Sequence, residues 1–455
     1  MIEKAAVLSK RVAIIGAGFA GTMAAVQLAR RGLAVSLIGR APQIGTGVAY
    51  STHDPAHLLN IPAAKMSAWP DRPDDFVEQS GTGPEDYVPR MRFGAYLKAI
   101  LDAAAVEVIA GDAIAAEPLD GGWTVRLADG RNVQATALVL APGNQPPDEL
   151  PFARELSETL FAGNPWGAAG RAAIERAVEE GGDVLAVGSG LSMIDVALSL
   201  DAAGFAGTLV AVSRRGQRPR VSRPLRSEVP PSDSAPSGSL TALWRWVRQR
   251  SAEIDWRDAV DSVRPRTHEL WQSLSEADQR RFLRHARPWW DVHRHRIAPE
   301  VGATIDRMIA EGRLEVIAGR IQSLAVERPS TSPGRAGLAD AGLAAVIRRR
   351  GARAPDPARR FAVGINCTGP LHDIRHSRDP ILRSLLDAGM AEPDHLGIGL
   401  KVDGEVRVSG ADKLWAMGSL GKARYWEIIA VPDIRVQADM VAGAIAKELN
   451  DNAKP

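Results

Sequence analysis

The stretch RVAIIGAGFAG, residues 11–21, decides the fold of this 455-residue chain. It reads as a short buried strand that runs into a Gly-x-Gly-x-x-Gly turn, followed by a helix that ends at Gly32 and a second apolar strand. Gly16 permits the tight turn, Gly18 lets the backbone approach a pyrophosphate, and Gly21 lets helix and strand pack closely. This order of elements predicts a dinucleotide-binding site near the start of the chain.

A second glycine turn lies in the segment VLAVGSGLSMIDVALSL, residues 184–200. Gly188 and Gly190 take the positions of the first two glycines, and Ser192 lies at the start of the following helix. Met193 stands where the third glycine would be, so a looser fit of helix to strand is expected. We therefore predict a second dinucleotide site here.

The residues that end the strand after each turn indicate which nucleotide is bound. An acid there would hydrogen-bond a free ribose 2′-hydroxyl, whereas arginine suits a 2′-phosphate. Arg214 and Arg215 end this strand in the second site, which favours NADPH without excluding NADH. The first site has Gly39 and Arg40, so Arg40, a main-chain carbonyl or water must contact the ribose. A Gly39→Glu substitution is accordingly expected to tighten nucleotide retention.

The composition excludes several classes of function. A net charge of +2 gives no reason to expect nucleic acid or a membrane surface as a partner. Cys367 is the single cysteine, which excludes a disulfide reductase of the two-cysteine type and indicates a small core residue. Because the sequence has no apolar signal region and no long apolar run, a reducing compartment is expected, most simply the cytoplasm. The oligomeric state stays open.

Three further strand ends with glycine and a late helix follow along the chain. One strand ends in the turn that contains Gly143, another ends at Gly369, and a late strand runs into Gly418. A final helix is predicted to start at about Pro432. Its N-terminus would offer backbone N–H groups and a partial positive charge to an electron-rich ring.

This layout resembles the flavoproteins with two dinucleotide-binding domains and predicts an α/β fold with two Rossmann-like domains. The resemblance implies an FAD-binding domain built from residues 1–150 and 346–455. An NAD(P)H-binding domain at residues 151–345 would be inserted between these two parts.

Five blocks of sequence carry a narrower resemblance. They are GVAYSTHDPAHLLNIPAAKMSAWPDRPDDF (47–76), YVPRMRFGAYL (87–97), VGSGLSMIDVALSL (187–200), INCTGPLHDIRHSRDPILRSLL (365–386) and YWEIIAVPDIRVQA (425–438). They resemble the signature blocks of the bacterial FAD/NAD(P)-binding family that includes FAD-dependent urate hydroxylase and the aspartate N-monooxygenase that forms nitrosuccinate. More distantly, the chain is similar to the flavin N-hydroxylases of ornithine and lysine.

The resemblance implies a flavin-dependent monooxygenase. NADPH would reduce FAD, O2 would add to the reduced ring, and a hydroperoxyflavin would transfer one oxygen atom to a small polar substrate. Hydroxylation of an amine nitrogen and hydroxylation of a urate-like ring both stay open. An NADPH:acceptor oxidoreductase without oxygen insertion is the alternative, and a flavin-dependent sensor is a third class.

By the same resemblance, residues 57–67 would run beside the flavin ring. Asn60 would hydrogen-bond the ring edge or, alternatively, cap its own backbone. Met66 or Ser67 would pack against the ring. Lys65 would contact flavin, NADPH or an anionic substrate, with a solvated lysine as the alternative. Asn60 and Lys65 are therefore the candidate catalytic residues.

Three further residues are candidates for the cofactor site. Arg90, which precedes a predicted helix, would pair either with a cofactor phosphate or with a structural acid. Trp426 and Glu427 lie just ahead of the final helix and would wall the flavin pocket; an aromatic side chain that only packs is the alternative.

A stretch rich in Trp, Arg and His at about 240–312 predicts a helical insertion in the second domain. It would form either a lid whose arginines hold an anionic substrate or the NADPH phosphates, or a cap whose Trp residues only pack. His293 and His295 invite a metal site, but no carboxylate or cysteine cluster accompanies them, and no metal is predicted. Loosely ordered linkers are expected at 229–239 and 327–337.

Overall fold

The computed structural model describes residues 10–223, 232–327 and 341–451. The first nine residues and parts of both predicted linkers lie outside these ranges.

Fifteen strands are described. In chain order they are β1 (Arg11–Ile15), β2 (Ala34–Gly39), β3 (Glu107–Ala110), β4 (Ala113–Leu119), β5 (Gly122–Leu127), β6 (Asn132–Ala135), β7 (Ala137–Leu140), β8 (Phe161–Ala162), β9 (Val184–Val187), β10 (Leu209–Ser213), β11 (Leu314–Glu327), β12 (Gly342–Arg349), β13 (Arg359–Phe361), β14 (Val363–Asn366) and β15 (Leu414–Ala416).

Fourteen α-helices accompany these strands in the described part of the chain. They are α1 (Phe19–Arg30), α2 (Gly47–Tyr50), α3 (Asp75–Ser80), α4 (Arg90–Asp102), α5 (Ala168–Glu180), α6 (Leu191–Ala202), α7 (Leu240–Glu253), α8 (Trp256–Ser262), α9 (Thr267–Ser273), α10 (Glu276–Arg281), α11 (Arg287–Arg294), α12 (Pro299–Ala310), α13 (Pro380–Asp387) and α14 (Val431–Asp451).

The first unit is built on a five-stranded parallel sheet in the order β15-β7-β1-β2-β3. Strand β7 and, after Arg11, strand β1 are apolar because both faces of the sheet are covered. Helices α1 and α14 pack on one face, and α13 and the antiparallel sheet β4-β5-β6 cover the other. The start and the end of the chain thus build one unit.

The second unit is built on a seven-stranded sheet in the order β13-β12-β11-β10-β9-β14-β8. Strands β11, β10, β9, β14 and β8 run parallel to one another, and β12 and β13 add an antiparallel edge. In both sheets the strand that precedes the glycine turn is paired with two parallel neighbours, β2 and β7 in one case and β10 and β14 in the other. The fold is α/β with two Rossmann-like units, as predicted.

Sheet membership corrects two predicted boundaries. Strands β12, β13 and β14 are hydrogen-bonded into the second sheet, so the second unit extends to Asn366 and does not end at residue 345. Helix α12 links the parallel strands β10 and β11 and buries Val301 and Ile305 in the core of the second unit. The helical insertion therefore comprises α7 to α11 and ends before residue 299 rather than at 312.

Candidate cofactor and substrate site

The first glycine turn brings three backbone segments into close contact. Gly16 has a positive φ of 104°, and a Cβ atom built on it would lie 2.1 Å from the carbonyl oxygen of Ala141. A Cβ on Gly21 would lie 1.8 Å from the carbonyl oxygen of Gly16. Neither position accepts a side chain, so the turn, the start of α1 and the end of β7 stay tightly packed. This contact lies where the strand order reverses, which is where open α/β sheets bind ligands.

Around this turn, glycines leave a groove instead of filling it. No atom lies within 4 Å of a Cβ built on Gly143, and the nearest atoms to such a Cβ on Gly18 and on Gly418 are 3.5 Å and 3.9 Å away. Helix α1 starts at Phe19 with Gly18 as its N-cap and no side chain capping its N–H groups. These groups face the groove side of the turn and fit the phosphates of a dinucleotide.

The second glycine turn repeats this geometry. Gly188 has a φ of 116°, and a Cβ on it would lie 2.2 Å from the carbonyl oxygen of Cys367. Gly190, the N-cap of α6, and Gly369 have open space around the built Cβ. Ser192 lies in the first turn of α6, and Met193 is fully buried in the core. The residues at each of the two turns therefore fit a dinucleotide, so that each unit can hold one.

Cys367 lies in the core of the second unit, as predicted for a small packed residue. Burial raises the pKa of its thiol well above the ordinary range. The thiol is therefore protonated at neutral pH and is not a nucleophile.

The two arginines after β10 are free to bind an anion. Arg214 is exposed, Arg215 is half-buried, and neither forms an ion pair with another described residue. The turn that carries them is held by Ser213, whose Oγ accepts hydrogen bonds from the Gly216 N–H at 3.0 Å and from Ser189 Oγ at 2.7 Å. The phosphate-binding role of Arg214 and Arg215 stays a prediction.

The end of β2 contradicts one expectation. A Cβ on Gly39 would lie 2.5 Å from the Cβ of Ala17, which belongs to the first glycine turn. A glutamate at this position would push the turn out of place, so Gly39→Glu is expected to weaken nucleotide retention and not to tighten it. Arg40 pairs with Asp112 at 2.5 Å on the surface, and that contact must break before Arg40 reaches a ribose.

The segment predicted to run beside the flavin divides into buried and accessible side chains. Met66 is buried in the core, and Ser67 Oγ donates to the carbonyl oxygen of Arg72 at 2.6 Å. Asn60 and Lys65 are half-buried, and Asn60 lines a small cavity between the two units. Asn60 and Lys65 therefore stay candidates for ligand contact, whereas the side chains of Met66 and Ser67 are engaged within the protein.

Arg90 joins the two units. Its guanidinium donates to Asp195 of α6 at 3.0 Å and to the carbonyl oxygen of Leu58 at 3.1 Å, and both charged side chains are nearly buried. Beside this pair, His57 contacts Ser199 of α6 at 2.9 Å. Of the two predicted roles for Arg90, the structure shows the pair with a structural acid, and a role in cofactor binding stays a prediction.

Five basic side chains from three parts of the chain converge next to this segment. This basic cluster comprises Lys65 of the first unit, Arg264, Arg294 and Arg296 of the helical insertion, and Arg435 of α14. Burial lowers the pKa of Lys65, and the nearby Arg264 lowers it further. Arg435 donates to the carbonyl oxygen of Ser67 at 2.8 Å, which places it beside Lys65.

Three acids neutralise only part of the basic cluster. Glu427 pairs with Arg294 at 2.7 Å, Asp261 pairs with Arg296 at 2.6 Å, and Asp433 lies 3.6 Å from Arg264. Lys65 and Arg435 have no carboxylate partner among the described residues, and Arg435 Nε is buried without a hydrogen bond. The arrangement can therefore bind an anion between α14, the helical insertion and the first unit.

Trp426 and Glu427 hold the helical insertion. Trp426 is buried and stacks on Trp271 with ring centroids 4.9 Å apart, so the packed aromatic is the role that the structure shows. Glu427 adopts a positive φ of 72°, and its carboxylate pairs with Arg294 and accepts a hydrogen bond from Trp290 Nε1. Burial alone would raise the pKa of Glu427, but Arg294 lowers it below the ordinary value. The insertion is thus fixed over the start of α14.

The two histidines of the insertion have different partners. His293 Nδ1 contacts the carbonyl oxygen of Trp289 at 2.7 Å, whereas His295 Nε2 lies 3.8 Å from Glu427. Within residues 10–223, 232–327 and 341–451, no group of three or more His, Cys, Asp or Glu side chains is placed to hold a metal ion. In the same part of the chain, every helix is too short or too polar to span a bilayer.

Sequence reasoning did not identify Arg264 or Arg435 individually. Arg435 follows Pro432 by three residues, so the predicted start of the last helix already placed it in the first turns of α14. Arg264 carried no such signal, because its approach to Lys65 depends on how the insertion folds.

Comparisons with known proteins agree with this architecture. Residues 13–145 match a family described as FAD-NAD(P)-binding. No curated protein matches the sequence.

Solved structures extend the likeness over nearly the whole chain. The ornithine N-hydroxylase from Kutzneria sp. 744, in complex with reduced FAD, NADP+ and L-ornithine, has a TM-score of 0.66 at 15% identity, covering 96% of this chain and 99% of that one. The L-lysine 6-monooxygenase from Pseudomonas syringae has a TM-score of 0.63 at 16% identity, and the match covers 98% of this chain and 100% of that one. Thioredoxin reductase from Lactococcus lactis has a TM-score of 0.54 at 13% identity, covering 97% and 99%. The chain therefore has the two-unit dinucleotide-binding fold that these flavoproteins share.

Proposed function

We propose that the protein is a monooxygenase that uses FAD, NADPH and O2 to hydroxylate a small acidic substrate. The observation that carries the proposal is the basic cluster, in which Lys65 and Arg435 lack a carboxylate partner among the described residues, next to a groove that fits FAD. The likeness in fold to ornithine and lysine hydroxylases supports oxygen insertion over simple electron transfer.

The two grooves divide the cofactors between the units. FAD would lie along the first groove, with its phosphates at Gly18 and the start of α1 and its remainder reaching past Gly143 and Gly418. NADPH would lie in the second groove at Gly190, with Arg214 and Arg215 on the 2′-phosphate. When bound and reduced by NADPH, FAD supplies the activation of O2.

The side chains of this chain bind and orient the substrate. The basic cluster binds a carboxylate or another anionic group between α14 and the insertion, which fixes the position of the atom to be hydroxylated. Because burial and Arg264 lower the pKa of Lys65, its amine releases a proton more readily than an exposed lysine does. The insertion, held by Glu427 and Trp426, covers this region and keeps water from it.

The signature blocks favour substrates of the two kinds known in the resembling family, an amino-acid nitrogen or a urate-like ring. Aspartate, through its two carboxylates, and urate, as a monoanion, both carry net negative charge near neutral pH, which the basic cluster suits. The two reactions differ in the product, so product analysis distinguishes them.

The test measures NADPH oxidation, O2 uptake and peroxide release with L-aspartate, succinate and urate as probes. We expect one oxidisable acid to suppress peroxide release. Lys65→Met should raise the KM for that acid about tenfold, because the substitution removes a charge-assisted contact. Lys98→Met is the matched control, because Lys98 is an exposed lysine of the same unit paired with Asp102. If NADPH reduces the flavin and every acid leaves peroxide release unchanged, the protein is an NADPH:acceptor oxidoreductase instead.

A further inference from the structure

A cavity lies where the two grooves meet. It is open to solvent on one side and is lined by Asn144 after β7, Leu371 after β14, and Ser419 and Lys422 after β15. β7 and β15 border the first groove and β14 borders the second, so residues from both units face this space. Ser419 Oγ donates to the carbonyl oxygen of Gly143 at 2.8 Å, which ties the β7 and β15 turns together.

Lys422 is the charged residue of this cavity, and it lacks a counterion. Its side chain is half-buried and forms no hydrogen bond or ion pair with another described residue. Burial, together with the like charge of Arg287, lowers its pKa to about 8. Asp291 is the acid whose charge acts on Lys422, and it already pairs with Arg287 at 3.2 Å. A half-buried ammonium without a partner is unfavourable, and a bound anion would stabilise it.

Lys422 does not belong to the basic cluster around Lys65. The charges that shift the pKa of Lys65 come from Arg264, Asp261, Arg294 and Arg296, whereas those that act on Lys422 come from Arg287 and Asp291. The two lysines therefore face different spaces. An anion at Lys422 would lie beside the turns that border the cofactor grooves, next to Asn144 and Ser419.

We propose that Lys422 is a cofactor-binding residue whose ammonium pairs with an anionic group of a bound dinucleotide at the junction of the two grooves. The proposal rests on the cofactors of the proposed function. The shared chemistry is an anionic oxygen or ring edge, and it could come from FAD or from NADPH. Dissociation constants measured for each cofactor separately distinguish the two sources.

The test compares Lys422→Met, Lys422→Arg and the matched control Lys401→Met. Lys401 is an exposed lysine that pairs with Glu392 in the same C-terminal region, so its substitution removes the same charge from the surface. FAD affinity is measured by flavin fluorescence on the apoprotein, and NADP+ affinity by calorimetry on the FAD-loaded protein. Circular dichroism checks that every variant is folded.

We expect Lys422→Met to raise one of the two dissociation constants about tenfold, because one charge-assisted contact is lost. Lys422→Arg should stay within about threefold of the wild type because it keeps the charge. If the Lys422→Met constants for both FAD and NADP+ equal those of Lys401→Met, the assignment is overturned and the proposed function stands. If the wild type binds neither cofactor, the assignment and the proposed function both fail.

Discussion

Replacing Glu427 by glutamine should release the helical insertion from the rest of the protein. The carboxylate of Glu427 pairs with Arg294 at 2.7 Å, and the two side chains are 5% and 8% exposed. The substitution keeps a hydrogen-bond acceptor for Trp290 but leaves the Arg294 guanidinium as a buried charge without a counter-charge. Removing one partner of a buried ion pair costs about 3–5 kcal/mol.

The magnitude converts directly into a rate of hydrogen exchange. Since about 1.4 kcal/mol corresponds to a factor of ten, a loss of ~3 kcal/mol should speed the opening of residues 287–296 and 423–430 about 100-fold.

The assay is hydrogen–deuterium exchange read by mass spectrometry on peptides that cover these two segments. Glu269→Gln is the matched control, because Glu269 pairs with Arg266 on the surface of the same insertion and is 59% exposed. A solvent-exposed pair contributes little to stability, so exchange in this control should rise at most about fivefold. Equal exchange in Glu427→Gln and Glu269→Gln would refute the view that this buried pair holds the insertion.

Three further outcomes follow from the structure. Gly39→Ala should raise the dissociation constant for FAD about tenfold, because the new Cβ would lie 2.5 Å from the Cβ of Ala17, and adding Ala17→Gly should restore binding. Equal FAD fluorescence titrations of Gly39→Ala and the wild type would contradict this. Arg90→Met should lower the free energy of unfolding in urea by about 3 kcal/mol because it leaves Asp195 buried and unpaired, and a second change, Asp195→Asn, should recover part of that loss. Additive changes in the free energy of unfolding for the two substitutions would argue against a direct pair. Burial lowers the pKa of His295, so the stability that its neutral form contributes is complete above its unfolded pKa of about 6.5 and is lost as the pH falls through the lower folded pKa. Melting temperatures measured from pH 7.5 to 5 should show this loss, and the His295→Asn variant should show a flatter dependence on pH.

Local backbone geometry explains why both cofactor turns could be predicted. A Cβ atom on Gly16 or Gly188 would lie 2.1 Å or 2.2 Å from a carbonyl oxygen just after β7 or β14, so the residue type itself reports the structure. The residues that precede them, 12–15 and 184–187, are continuous apolar runs, as expected for sheets covered on both faces. The fold class followed from these two segments and the turns that repeat them.

Properties that depend on distant segments could not be predicted in the same way. The end of the second unit is set by hydrogen bonds between β14 and β9, which lie more than 170 residues apart in the chain. The side chain of Trp426 packs against the insertion, and its partner Trp271 comes from a part of the chain more than 150 residues away. The basic cluster likewise combines residues from three segments, and no local pattern marks Arg264 as a neighbour of Lys65.

The most direct test of the central claim, that the two grooves hold FAD and NADPH and that electrons pass between them, is anaerobic reduction of the reconstituted protein. FAD-loaded protein is mixed with NADPH without oxygen, and the visible absorbance of the flavin is followed. We predict that the absorbance is lost, faster with NADPH than with NADH, and that Arg214→Ala with Arg215→Ala removes this preference. A protein that cannot be loaded with FAD, or bound FAD that NADPH leaves oxidised, would contradict it.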